Sequence, residues 1–161
     1  MIVCGYWQDP LKSLVHQLKY RRRHVLVESL GKIMAGAAQD YIFGPVLLVP
    51  IPLHYLRLWQ RGFNQAQLLG QVVAKELQVP LVSPLKRVRH TQPQFGLGRH
   101  LRRANVVGAF AIKSDQLDII KDKTVVLVDD VVATGSTIEE CARVLKNNGA
   151  KEVWALVLAR A

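Results

Sequence analysis

Hydrophobic positions along the chain alternate between a helical and a strand-like period. From Pro10 to Tyr20, Leu11, Leu14, Val15 and Leu18 fall at i, i+3, i+4 and i+7, which marks one face of a helix. Val25 to Gln39 predicts a second helix, rich in small residues toward its end (Ala35, Gly36, Ala37, Ala38). Gly44 and Pro45 interrupt, and Val46 to Val49 is a short apolar run suited to a buried strand. Asn64 to Gln78 predicts a third helix, with Ala66, Leu69, Val73 and Leu77 at helical spacing. Val79 to Leu85 and Asn105 to Ile112 read as strands, the second with Val106, Gly108, Phe110 and Ile112 on one side. Thr124 to Val128 reads as a buried strand that two carboxylates end. After a short loop comes a helix whose stripe is Ile138, Cys141, Ala142 and Leu145. Ser136 with Glu139, or Thr137 with Glu140, has the spacing of a capping box at its start. Gly149 closes it, and Glu152 to Leu158 is the last strand. Strands alternating with helices imply an α/β fold with a mostly parallel central sheet flanked by helices. No repeat or linker divides the chain, so residues 1–161 read as one domain with a helical N-terminal part over about 9–40.

The polar break after Val128 carries the chemistry. Asp129 and Asp130 sit at the carboxyl end of a predicted parallel strand, where open α/β sheets bind ligands. The loop Ala133-Thr134-Gly135-Ser136-Thr137 then supplies free N–H groups and hydroxyls at a helix N-terminus, which suits a phosphate. Paired carboxylates beside a phosphate suit sugar hydroxyls or Mg²⁺, so the combination reads as a sugar-phosphate site. The plainer alternative is a pair of solvated strand-end acids. An ATPase reading of the apolar run and its Asp needs a G-x-x-x-x-G-K-[ST] loop, and Gly31-Lys32, the only Gly-Lys, is followed by Ile33.

The run Val126-Leu127-Val128-Asp129-Asp130-Val131-Val132-Ala133-Thr134-Gly135-Ser136-Thr137 resembles the phosphoribosyl-pyrophosphate (PRPP) signature of the type I phosphoribosyltransferases. The resemblance implies that Asp129 and Asp130 contact the ribose and its Mg²⁺, and that Ala133 to Thr137 cradle the 5-phosphate. Enzymes of that group acting on 6-oxopurines carry a third Asp where this chain has Ala133, which argues against 6-oxopurine chemistry. Three further stretches resemble the ComF family of phosphoribosyltransferase-like proteins, linked in bacteria to DNA uptake in competence. They are Pro10 to Tyr20 with its Leu18-Lys19-Tyr20 end; Val49-Pro50-Ile51-Pro52 with Arg61-Gly62-Phe63-Asn64-Gln65; and the array from Arg89, Thr91 and Gln94 to Arg102, Asn105, Val106, Gly108 and Phe110. Two departures stand out: relatives usually carry Thr at the position of Ala133, and many have an N-terminal four-cysteine zinc module that this chain lacks.

Charge sharpens the reading. Up to residue 113 there are 16 Lys/Arg against 4 Asp/Glu, and from 114 on there are 6 against 8. A polyanion such as pyrophosphate or a nucleic acid is the natural partner of the basic part. Two loops hold the candidates. Pro50 to Phe63 leaves a strand on the edge that carries Asp129, and Arg57 and Arg61, four residues apart, can share a helical face and grip a diphosphate. Solubilising charges around Trp59 are the alternative reading of the same pair. Lys86 to Arg103 is a long basic loop between two strands with six Lys/Arg, His90, His100 and no acid. Its Arg89, Arg99, Arg102 and Arg103 are candidates to neutralise a departing pyrophosphate, as a lid would require; with Phe95 as its one aromatic residue, it offers little base stacking.

The longest apolar run, around Val46 to Leu53, is about eight residues against the roughly 18 needed to span a bilayer, so no membrane insertion is expected. No signal peptide is visible, and Cys4 and Cys141 form no C-x-x-C pair, so the expectation is a cytoplasmic protein without zinc. Three readings remain at this stage. The first is a Mg²⁺-dependent phosphoribosyltransferase acting on PRPP or a related ribose-5-phosphate ligand, with its acceptor unread. The second is a non-catalytic PRPP-pocket module docking DNA-processing proteins. The third is a binder of single-stranded DNA through the basic loop. Oligomeric state stays open, a homo-oligomer included.

Overall fold

The chain begins with a strand that its hydrophobic pattern does not announce: β1 (Ile2–Tyr6), which contains Gly5 and buries only Ile2. There follow α1 (Leu11–Tyr20), α2 (His24–Ala38), β2 (Val46–Pro50), α3 (Tyr55–Arg61) and α4 (Gln65–Leu77). Next come the short strands β3 (Leu85–Arg87) and β4 (Phe110–Ile112), and a 3₁₀ turn at Ser114–Gln116 leading into α5 (Leu117–Ile120). The chain closes with β5 (Thr124–Val132), α6 (Ser136–Asn147) and β6 (Glu152–Arg160). The computed structural model describes residues 1–20, 24–89 and 106–161. Its central sheet has the order β1-β6-β5-β2 with every pair parallel, and β3 and β4 form a separate antiparallel ribbon.

Period-two alternation in the central strands decides which helices cover which face. Val126 and Val128 of β5 join Leu48, Leu156 and Leu158 in a core with Val15 and Leu18 of α1, Leu30 and Met34 of α2, and Leu69 and Val73 of α4. Val125 and Leu127 point the other way, with Val49 and Ala155, against Ile120, Leu85 and Phe110 and the Cys141, Val144 and Leu145 stripe of α6. The helices α2 and α4 cross closely: a Cβ on Gly31 would stand 2.5 Å from Cβ of Val72. The Gly-Lys pair of the sequence is thus a helix crossing. No helix among the described residues is long and apolar enough to cross a membrane.

Several local expectations are corrected. Of the strand read over Val79 to Leu85, a bridge of Leu81 beside Leu48 remains, and Leu85 opens β3; Pro80 and Pro84 remove the donors a continuous ladder needs. Within Asn105 to Ile112, Val106 is helical and Gly108 takes φ +67, so only Phe110–Ile112 is extended; Asn105 lies outside the described residues. Of the basic loop, Lys86 and Arg87 belong to β3. The strand before the acid pair does not stop at Val128 but continues to Val132, because β6 runs beside it as far as Arg160. Finally, neither capping box forms: Gly135, at φ +82, is the N-cap of α6 and Ser136 is already helical.

Candidate functional site

The site arises where strands of unequal length meet. The last ladder pair of β2 is Pro50 with Val128, and Ile51 N–H then closes onto the Val128 carbonyl at 3.0 Å. Beyond that point β5 is paired with β6 on one side, while the chain after Ile51 leaves the sheet to form α3 and the start of α4. The gap is a cavity of about 190 Å³. Asp129 and Asp130 line it, each with Oδ1 accepting from the next backbone N–H, at 2.8 Å from Asp130 and 2.9 Å from Val131. Those bonds fix both carboxylates against the strand.

On one side, a second hollow of about 30 Å³ is formed by Asp129 and the turn from Val131 to Ile138, including Ala133, Thr134, Gly135, Ser136 and Thr137. The left-handed Gly135 makes this turn, as only glycine does without strain. The Thr134 and Ser136 hydroxyl oxygens lie 3.0 Å apart, and Ser136 N–H points toward Thr134 Oγ1 at 3.5 Å. A twelve-residue helix starts there, so its positive end faces the hollow. Thr137 lines both spaces and joins them.

The opposite wall is cationic. Arg57 and Arg61 come from one face of α3, as their spacing suggested, and both line the larger cavity. A third guanidinium joins them from β3: Arg87, half-buried, with its charge 5.3 Å from the centre of the Phe110 ring. Burial lowers the Arg87 pKa and the nearby Arg57 charge lowers it further, while Cys141 and Asp129 act in the opposite sense. Arg87 is a site residue that sequence reasoning missed, having counted it only as one of six cations. Its signal was parity: it lies two residues after the buried Leu85 on a strand, and so on the same face.

Other unanticipated residues hold the walls in place. Asn64 caps α4 through Oδ1 to Ala66 N–H (3.1 Å), while its Nδ2 donates to the Ile51 carbonyl (3.0 Å). Gln65, buried beside it, takes a hydrogen bond from Arg61 Nη1 at 3.3 Å. His54 caps α3 through Nδ1, which accepts from Leu56 N–H at 3.3 Å. Arg89, one of the loop cations expected to meet a departing pyrophosphate, instead donates to the Val107 carbonyl at 2.9 Å and lines neither space. Arg99, Arg102 and Arg103, with His90 and His100, lie outside the described residues.

Comparison with known proteins agrees with this architecture. Residues 64–161 match the family described as phosphoribosyl transferase domain. The whole chain is 34% identical to competence protein F of Haemophilus influenzae, and covers 72% of it. It is also 34% identical to DNA utilization protein YhgH of Escherichia coli K12, over 97% of this chain and 70% of that relative. Among solved structures, glutamine phosphoribosylpyrophosphate amidotransferase from B. subtilis, in complex with ADP and GMP, matches with a TM-score of 0.55. That match has 20% identity, covers 83% of this chain and 26% of the larger one, and shows the shared fold. With relatives alike along its whole length and this sheet at its centre, the chain belongs to the ComF family and is built on a type I phosphoribosyltransferase-like domain.

Proposed function

We propose that the cavity binds PRPP, or a closely related ribose-5-phosphate ligand, with Mg²⁺, and that the protein serves the uptake or use of DNA. The observation that carries this reading is the carboxylate pair on the open end of β5, between a phosphate-sized hollow and three guanidinium groups. A ligand with a phosphate at one end, vicinal hydroxyls in the middle and a diphosphate at the other matches that order. In this reading the 5-phosphate takes the N–H groups and hydroxyls of Ala133 to Thr137. Asp129 and Asp130 accept from the ribose hydroxyls. Arg57, Arg61 and Arg87 receive the diphosphate and stabilise the charge that grows on it as its bond to C1 lengthens. Arg99 and Arg102 remain candidates for the same task.

The donor set fits Mg²⁺. Two carboxylates offer hard oxygens, and no group of three or more His, Cys, Asp or Glu among the described residues is placed to hold a metal by itself. That suits an ion which keeps waters and substrate phosphate oxygens in its shell. When bound, Mg²⁺ neutralises part of the diphosphate charge. The names of the relatives, competence protein F and DNA utilization protein, support the link to DNA, as does a net charge of +10.

The test is calorimetric titration of Mg²⁺·PRPP into the wild type and into Asp129→Asn/Asp130→Asn. The expected result is binding by the wild type that weakens at least about tenfold in the variant, since hydrogen bonds to a charged group are lost. A wild type that does not bind, or a variant that binds equally, overturns the reading. Release of pyrophosphate on adding nucleobases or other acceptors separates an enzyme from a binding module that docks DNA-processing partners.

A further inference from the structure

Gln65 opens α4 and is 2% exposed. A carboxamide carries one acceptor oxygen and one donor nitrogen. Here Oε1 accepts from Arg61 Nη1, which fixes the orientation of the group, since exchanging O and N would set two donors against each other. Nε2 is consequently buried, and it has no hydrogen-bond partner among the described residues. Native folds seldom leave such a donor unpaired.

The neighbouring residue provides the contrast. Asn64 uses its acceptor on the α4 cap and its donor on Ile51, so its carboxamide is consumed in holding the wall. No described residue engages Gln65 Nε2. Gln65 lines the larger cavity together with Arg57, Arg61 and Arg87, and it does not line the phosphate hollow. It also sits at the N-terminus of a thirteen-residue helix, whose positive end favours anionic oxygen.

We propose that Gln65 is a ligand-binding residue whose Nε2–H donates to an oxygen of the diphosphate, with Arg61 holding the amide in that orientation. The inference rests on the PRPP reading above and adds a specificity element to it. A neutral donor among three guanidiniums reads an oxygen at a defined place and adds no charge. It therefore separates ligands that carry a diphosphate from those that carry ribose 5-phosphate alone.

The experiment titrates Mg²⁺·PRPP, Mg²⁺·pyrophosphate and ribose 5-phosphate into the wild type, Gln65→Met and Gln65→Glu, with thermal melts to verify folding. Methionine keeps the length of the side chain and removes the donor; glutamate replaces the donor with a carboxylate. Expected for Gln65→Met is a roughly ten- to hundredfold weaker grip on both diphosphate ligands, with ribose 5-phosphate held within about twofold. Gln65→Glu loses more. The side-chain amide resonance of Gln65, identified by its absence from Gln65→Met, shifts when Mg²⁺·pyrophosphate is added. Equal binding by Gln65→Met with an unmoved resonance overturns this inference and leaves the PRPP site standing. Equal loss of all three ligands shows a collapsed wall and overturns it too. A wild type that binds none of them overturns the parent reading as well.

Discussion

Glu140 sits one turn into α6, buried, yet it carries a charge that the fold uses twice. Its oxygens accept from Arg143 Nε and Nη2 at 2.8 and 2.7 Å, and from Gly108 N–H at 2.8 Å. The Arg143 hydrogen bonds hold its pKa below the ordinary value of 4.5, burial works against them, and the Gly108 bond lowers it further. The unfolded chain therefore binds this proton more readily than the folded one. The stability contributed is complete above about pH 4.5 and is lost as pH falls through the folded value. Urea unfolding followed against pH shows this as a decline in acid, and Glu140→Gln removes that part of the slope. At pH 7 the variant loses about 1 kcal/mol, less than is usual for hydrogen bonds to a charged group because Arg143 is half in water. An unchanged acid slope contradicts the assignment. The sequence offered Glu140 only as the far member of a capping box, since Gly108 lies 32 residues away and local spacing cannot register it. Asp129 and Asp130 were legible for the opposite reason: strand, acids, loop and helix are consecutive. Arg87 and Gln65 come together only in a cavity that exists after three distant segments meet.

Among the elements, α3 is the least secured by packing. It has no buried residue, and seven residues are too few to be stably helical alone. Its ends hold it: His54 Nδ1 caps Leu56 N–H, and Gly62, at φ +77, closes the other end by donating its N–H to the Leu58 carbonyl at 2.7 Å. The cap needs the neutral ring with Nδ1 as acceptor. His54→Ala is expected to cost about 1 kcal/mol of local stability, seen as faster amide exchange over Leu58 to Arg61, whereas His54→Asn retains the cap. Binding of Mg²⁺·pyrophosphate weakens in step, because Arg57 and Arg61 ride on this helix. Exchange rates that do not distinguish the two variants remove the cap from the account. Only the four-residue spacing of Arg57 and Arg61 hinted at this helix, and its bounds were not legible: the stretch follows Pro50 and Pro52, and histidine is a weak signal for a cap. The longer α4 and α6 were read to within a residue or two from their stripes, whereas the short β3 and β4 depend on pairing across residues 88–109.

At the scale of the whole molecule, the two cores and the site occupy different places, and this separates stability from binding. The Gly31–Val72 crossing is in the core that α1, α2 and α4 build on one sheet face, whereas the cavity proposed to bind PRPP opens at the carboxyl edge between β2 and β5. An added methyl at Gly31 must move Val72, whose Cβ would be only 2.5 Å away, so Gly31→Ala is expected to destabilise by about 1–3 kcal/mol. It leaves the cavity residues untouched. A ligand that binds only the folded state adds about 2.7 kcal/mol when present at 100 times its Kd. For a chain of this size that corresponds to a rise in Tm of roughly 5–10 °C. Melting the wild type, Gly31→Ala and Asp129→Asn/Asp130→Asn with and without saturating Mg²⁺·PRPP gives opposite signatures. Gly31→Ala starts lower and keeps the full rise, while the aspartate variant starts near the wild type and loses it. A rise that shrinks in Gly31→Ala would show the helical layer coupled to the pocket, and a rise that survives in the aspartate variant would move the ligand away from β5.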